Sequence, residues 1–194
     1  SPEVSQDERK IAFASDRAGF SEIWVCDRDG ANPVQVTSLN GNFSGTPRWS
    51  PDGKRIVFDS LSKGNRDIYV VNADGGPVRR LTTDASQEWR PSYSGDGRWI
   101  YFGSDRSGDP QIWKVPSDGG AAVQVTKQGG YEAFESAGGK VVYYTKARNK
   151  RELWSVPVAG GEETEVLRPA WTGFWAVRGN GILFPDFSGP ANLP

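Results

Sequence analysis

The sequence predicts an all-β protein built from small four-stranded antiparallel sheets repeated along the chain. Three observations carry that expectation. Short motifs recur at intervals of 40 to 45 residues. Each copy holds four strand-like segments and no helical periodicity. The composition supplies many turns and many large flat side chains, with 24 Gly, 13 Pro and 12% aromatic residues, eight of them Trp. Short strands need both.

The second copy shows each element most clearly, with strands at about 45–50, 54–60, 67–72 and 78–82. The first strand ends in Trp49, and Ser50-Pro51-Asp52-Gly53 follows as a tight turn. Pro presets φ at its second position and Gly suits its last. Ile56-Val57-Phe58-Asp59-Ser60 is the second strand, matched by Ile11-Ala12-Phe13-Ala14-Ser15, Ile100-Tyr101-Phe102-Gly103-Ser104 and Val142-Tyr143-Tyr144-Thr145. The third strand, Ile68-Tyr69-Val70, recurs as Ile23-Trp24-Val25, Ile112-Trp113-Lys114-Val115 and Leu153-Trp154-Ser155-Val156. Asp74-Gly75-Gly76 turns it into the fourth strand, because Gly supplies the positive φ of a hairpin turn. Leu81-Thr82 marks that strand, as do Val36-Thr37, Val125-Thr126 and a degraded Val166-Leu167.

Four antiparallel strands per 40–45 residues is one blade of a β-propeller. Strands such as Ile-Tyr-Val-Val are apolar on both faces, as expected when neighbouring blades cover both sides. Trp24, Tyr69, Trp113 and Trp154 are then expected as wedges between blades. The expected blades are about 1–40, 41–84, 85–127 and 128–168, with a partial fifth at 169–194. In that fifth, Trp171–Val177 and Ile182–Phe184 are the first two strands. An array that stops there exposes strand edges and blade faces, which favours self-association. The chain is expected to be a piece of a longer propeller, or to pair through its open ends.

Composition also bounds the function. The net charge of −1 argues against a nucleic-acid or membrane-surface protein, both of which favour a positive field. No apolar run approaches the roughly 20 residues that cross a bilayer. The single Cys26 permits no internal disulfide and is expected as a small buried hydrophobe. The chain begins Ser-Pro-Glu and lacks Met, so a mature form or an excised segment is expected. Histidine is absent and no Gly-x-Ser-x-Gly elbow occurs, so no catalytic residues are assigned. No metal site and no cofactor is expected either. Asp7, Asp52 and Asp96 recur with the turn and are expected to accept backbone N–H groups within it. Ser15-Asp16-Arg17-Ala18-Gly19 and Ser104-Asp105-Arg106-Ser107-Gly108 are expected as hairpins closed by an Asp and Arg pair. The basic run from Lys146 to Arg151 is expected as a solvated loop.

The loops entering each blade diverge while the strands repeat, as where a rigid scaffold presents variable contacts. In them Asn42, Phe43, Trp89, Arg90, Tyr131, Glu132 and Trp171 are the candidate binding residues. Aromatic residues with Arg have the composition of interaction hot spots.

The pattern Pro-x-Trp-Ser-Pro-Asp-Gly-Lys-x-Ile-x-Phe-x-Ser, followed by Asp-Ile-Tyr-Val, Gly-Gly and Leu-Thr, resembles the TolB-type, WD-repeat-like propeller family. The second copy matches nearly throughout and the third closely. The first lacks Pro-Asp-Gly, and the fourth keeps mainly the strands. The resemblance implies a non-catalytic module of a larger bacterial protein that recognises a protein, peptide or small ligand, or serves as scaffold or sensor, with the periplasm as the favoured compartment and the cytoplasm as the alternative; the near-neutral charge favours a protein or peptide partner over a polyanion. It also implies two alternatives. One is a substrate-gating propeller of a prolyl-oligopeptidase-type peptidase. The other is the sensory domain of a winged-helix transcriptional regulator, which the tail Phe174-Trp175-Ala176-Val177 and Gly181-Ile182-Leu183-Phe184 resembles.

Overall fold

The computed structural model describes residues 2–41, 43–168, 173–178 and 181–184. Within them the chain is all-β and forms four four-stranded antiparallel sheets and one two-stranded sheet. The first sheet holds β1 (Glu3–Val4), β2 (Lys10–Ser15), β3 (Glu22–Asp27) and β4 (Val34–Gln35). The second holds β5 (Ser44–Trp49), β6 (Arg55–Ser60), β7 (Asp67–Asn72) and β8 (Arg79–Arg80). The third holds β9 (Glu88–Tyr93), β10 (Trp99–Ser104), β11 (Gln111–Pro116) and β12 (Val123–Gln124). The fourth holds β13 (Glu132–Glu135), β14 (Val141–Thr145), β15 (Leu153–Pro157) and β16 (Thr164–Leu167). β17 (Ala176–Arg178) and β18 (Gly181–Leu183) pair alone. Strand order follows the chain in every sheet, so each is a meander. This is the expected array of four blades and part of a fifth.

The repeated turn is built as its residues suggest. Ser5, Ser50 and Ser94 donate their hydroxyls to Asp7, Asp52 and Asp96 at 2.6–2.7 Å. Each Asp then accepts the backbone N–H two residues on, from Arg9, Lys54 and Arg98. These bonds hold all three carboxyls below the usual aspartate range, Asp96 at about 2. The Asp residues are therefore turn formers. In the fourth sheet Ser136 alone keeps the geometry, accepting from Val141 N–H at 3.2 Å.

The Thr of the fourth strand is a clamp. Thr37, Thr82 and Thr126 each accept the N–H of the Ile that begins the third-strand core, Ile23, Ile68 and Ile112, at 2.9 Å. Thr126 then donates to Gln111 Oε1 at 2.9 Å, and Thr37 donates to buried Glu22. Thr126→Val keeps the shape but leaves a buried N–H without an acceptor, at an expected cost of about 1–3 kcal/mol. Chemical denaturation of Thr126→Val beside Thr126→Ser checks this: the serine variant retains the bond and should lose less.

The core lies between sheets. Ala12, Ile23 and Val25 of the first sheet pack against Ile56, Phe58, Tyr69 and Val71 of the second. Val57, Ile68 and Val70 pack against Tyr93, Ile100 and Phe102 of the third. Tyr101 and Ile112 meet Val142, Tyr144 and Val156 of the fourth. Both faces of a strand are used, which is why the apolar pattern does not alternate. Trp175 continues the series against Leu153 and Phe134, the last in an edge-on ring contact at 4.9 Å. Tyr69, Trp113 and Trp154 are the expected wedges. Trp24 sits on the opposite face of the first sheet beside Phe13, under the Arg17 guanidinium. Cys26 is buried.

The expected Asp and Arg pairing in the second turn is corrected. Arg17 donates to Ser15 Oγ and lies over Phe13 and Trp24 at 5.3 and 5.0 Å. Arg106 donates to Ser104 Oγ, lies over Phe102 and Trp113, and forms its ion pair with Glu88. The neighbouring side chains of a turn diverge, and the flat third-strand aromatic offers the guanidinium a face to stack on.

Candidate functional site at the channel rim

The first strands of successive sheets, β1, β5, β9 and β13, face a common centre, and β17 approaches it beside β13. Loops joining one sheet to the next enter this centre at one end, the rim. The Ser-Pro-Asp-Gly turns surround the other end.

At the rim, β5 and β9 break register at Thr46-Pro47 and Arg90-Pro91. Thr46 and Arg90 take positive φ of 44° and 51°. A bulge leaves one residue unpaired and re-aims its side chain, and Pro removes the N–H that regular pairing would need. The bulges thus aim Thr46 and Arg90 differently from their strands. β13 has no Pro and pairs regularly, placing Glu132 opposite Thr145.

Glu132 is the hub. Only 1% exposed, it accepts Arg90 Nη1 at 2.7 Å and has Arg48 Nη2 at 3.9 Å. Its second oxygen accepts Gly173 N–H at 2.7 Å. One carboxylate therefore ties together the second, third and fourth sheets and the segment leading to the fifth. Burial opposes the charge on Arg90, and Glu132 outweighs it, so Arg90 is held more firmly charged than usual. Arg48 continues toward Glu3 at 4.0 Å and lies over Phe134 at 5.4 Å. Glu3 also accepts Trp49 N–H at 2.6 Å, yet burial raises its carboxyl above the usual range despite Arg48.

Among the candidate binding residues, Arg90, Tyr131 and Glu132 come together, with the Arg90 guanidinium 5.8 Å above the Tyr131 ring. Trp89 is buried; its indole N–H donates to Tyr131 O at 2.9 Å, and the two rings lie 5.3 Å apart. Trp89 therefore fixes Tyr131 from beneath. Phe43 packs over Gly45 and under Arg66, 4.7 Å from its ring. Asn42 and Trp171 lie outside the described residues.

Four residues that matter here escaped the sequence reading: Arg48, Asp59, Arg66 and Phe134. Arg48 is the unspecified position of Pro-x-Trp. Asp59 had a signal, since its slot in the other copies holds Ala14, Gly103 and Thr145. Asp59 is fully buried, accepts the Thr46 hydroxyl, and has Arg66 Nε at 3.4 Å. Burial pushes it up to about 6. A folded-state value above the unfolded one means that proton uptake favours folding. Stability is thus expected to rise as pH falls from 7 toward 4, by up to about 3 kcal/mol from this group at about 1.4 kcal/mol per unit. Glu88 and Asp67, also raised by burial, add in the same direction. Urea midpoints between pH 5 and 7.5 check this, and Asp59→Asn should flatten the slope.

The turn end holds a cavity of about 170 Å³ lined by residues of all five sheets, among them Glu3, Arg48, Phe134, Glu135 and Arg178. It is polar and apolar in mixture and lies opposite the loops that diverge in sequence. Among the described residues no group of three or more potential metal ligands occurs. No helix there is long and apolar enough to cross a membrane.

The TolB beta propeller domain family matches residues 1–172. The chain belongs to that family. It is 38% identical over 65 residues to the Tol-Pal system protein TolB of Desulfosudis oleivorans, covering 34% of this chain and 15% of that protein. It is 39% identical over 81 residues to a putative tricorn protease homolog of Streptomyces coelicolor, covering 42% of this chain and 6% of that protein. The structure of putative TolB from Agrobacterium tumefaciens superposes with a TM-score of 0.76 at 28% identity, over 84% of this chain and 63% of the other. The TolB-like chain thus matches only a small share of the length of these curated relatives.

Proposed function

We propose that this TolB-like propeller is a non-catalytic recognition module that holds a protein or peptide partner at the channel rim. The carrying observation is the Arg90, Tyr131 and Glu132 constellation. An arginine on a bulged first strand and an aromatic ring just before a regular one are fixed by a buried carboxylate and a buried indole. Such preorganisation lowers the entropy lost on binding. The near-neutral charge of −1 suits a peptide or protein partner better than a polyanion. Membership in the TolB beta propeller domain family, together with the match to a Tol-Pal system protein TolB, supports a protein partner and a periplasmic setting. The half-buried Tyr131 can be truncated without removing the ion pair. Tyr131→Ala is therefore expected to weaken capture of the partner from a periplasmic extract at least tenfold, while Asp96→Ala at the opposite turn leaves it unchanged. Equal capture by both variants would remove the rim from the reading.

The tricorn protease homolog among the matches favours one alternative, a propeller that controls access to a separate catalytic domain. A nucleophile elbow with later Asp and His in the full-length gene would decide for it.

A further inference from the structure

The slot of Asp59 is a place where the repeat does not ask for charge. Asp59 pairs in register with Ile68, as Ala14 does with Ile23, Gly103 with Ile112 and Thr145 with Leu153. A small or neutral residue satisfies the scaffold in three sheets. A carboxylate with no exposure is costly unless fully paired. Here the pairing is incomplete. Thr46 donates to Oδ1, but Oδ2 accepts no hydrogen bond and has only the ion contact from Arg66. Thr46 is held in the left-handed region, which a β-branched residue rarely adopts. Strain and an unsatisfied buried group together direct attention to a functional role at this position.

Arg66 carries the arrangement outward. It is 29% exposed at its side chain, and its guanidinium covers Phe43. Asp59 therefore holds Arg66, and Arg66 holds Phe43. The groups facing Asp59 are Thr46 of β5, Arg66 just before β7 and, farther off, Arg90 of β9, which is neutralised by Glu132 of β13.

We propose that Asp59 is a proton-operated latch at the rim: as a carboxylate it holds Arg66 over Phe43, and on taking a proton from solvent it releases the guanidinium and uncovers the ring. The balance is one proton and no other reactant. Burial places the turnover near pH 6, within reach of mild acidification. Two effects then run in opposite directions as pH falls: the fold becomes more stable while the contact between Arg66 and Phe43 is lost. Its consequence for a partner rests on the rim reading, but the latch is internal to this chain and is tested without any partner.

The test is an NMR titration of the whole chain from pH 4.5 to 8, following the Asp59 carboxyl carbon, the Arg66 Nε–H and the Phe43 ring protons. The expected result is one shared midpoint for all three, with loss of the contacts between the Arg66 side chain and the Phe43 ring on the acid side. In Asp59→Asn the ring contacts should be absent at every pH. Should that variant fail to fold, Arg66→Gln serves: the Asp59 midpoint should move up, and the Phe43 ring should no longer titrate. Arg66 and Phe43 signals that ignore the Asp59 midpoint would overturn the latch. So would an Asp59→Asn chain that keeps the ring contacts, or an Asp59 midpoint left unmoved by Arg66→Gln.

Discussion

Gly103→Ala is expected to destabilise the fold by about 3 kcal/mol or more, the overpacking cost plus a lost buried hydrogen bond. A Cβ at Gly103 would lie 2.7 Å from both Trp89 Cε2 and Tyr131 O. Neither neighbour can yield cheaply. Trp89 is 7% exposed, wedged at the start of β9, and its indole N–H is committed to Tyr131 O. The added methyl would therefore push Trp89 out, and Tyr131 with it. Guanidinium unfolding should show the loss as a lowered midpoint at unchanged slope. Adding Trp89→Phe should recover part of the loss in the Gly103→Ala background while destabilising the wild type. That sign reversal identifies the clash as the cause.

Glu132→Ala is the second large effect, with an expected loss of about 3–5 kcal/mol, because it leaves the partly buried Arg90 guanidinium uncompensated. Arg90 and Arg48 would both lose their shared carboxylate, and Gly173 N–H its acceptor. Glu132→Gln keeps an acceptor for Gly173 and should cost less. The pair is poorly exposed, so added salt should restore little of the loss. Thermal unfolding of both variants at low and high salt checks this. A loss below about 0.5 kcal/mol, the level of a surface ion pair, would mean that Glu132 is not the hub joining the sheets.

Most of the fold was legible because it repeats. The Ser-Pro-Asp-Gly turns, the Ile-x-Phe strands and the Leu-Thr pairs each perform one local task, and each copy corroborates the others. The Asp and Arg hairpin was misread for a physical reason: adjacency in sequence was taken for contact, whereas Arg17 and Arg106 reach across to an aromatic on the next strand. The rim was legible in part. Divergent loops pointed to Arg90, Tyr131 and Glu132, but sequence alone could not tell that Trp89 would turn inward. Arg48 and Arg66 were missed because their roles depend on which strands meet at the centre, and spacing along one strand carries no such information. Asp59 could have been found by asking which copy breaks the small-residue slot.

The most direct test of rim recognition places a photo-crosslinking benzophenone residue at Phe43 or Tyr131 on the rim, and at Gln6 or Ala137 on the turn end, in cells that produce the full-length protein. The expected result is a discrete partner adduct from the rim positions and none from the turn positions. An adduct from Gln6 or Ala137 alone would move recognition to the turn-end cavity beside Glu3 and Arg178, and would contradict the assignment of the rim.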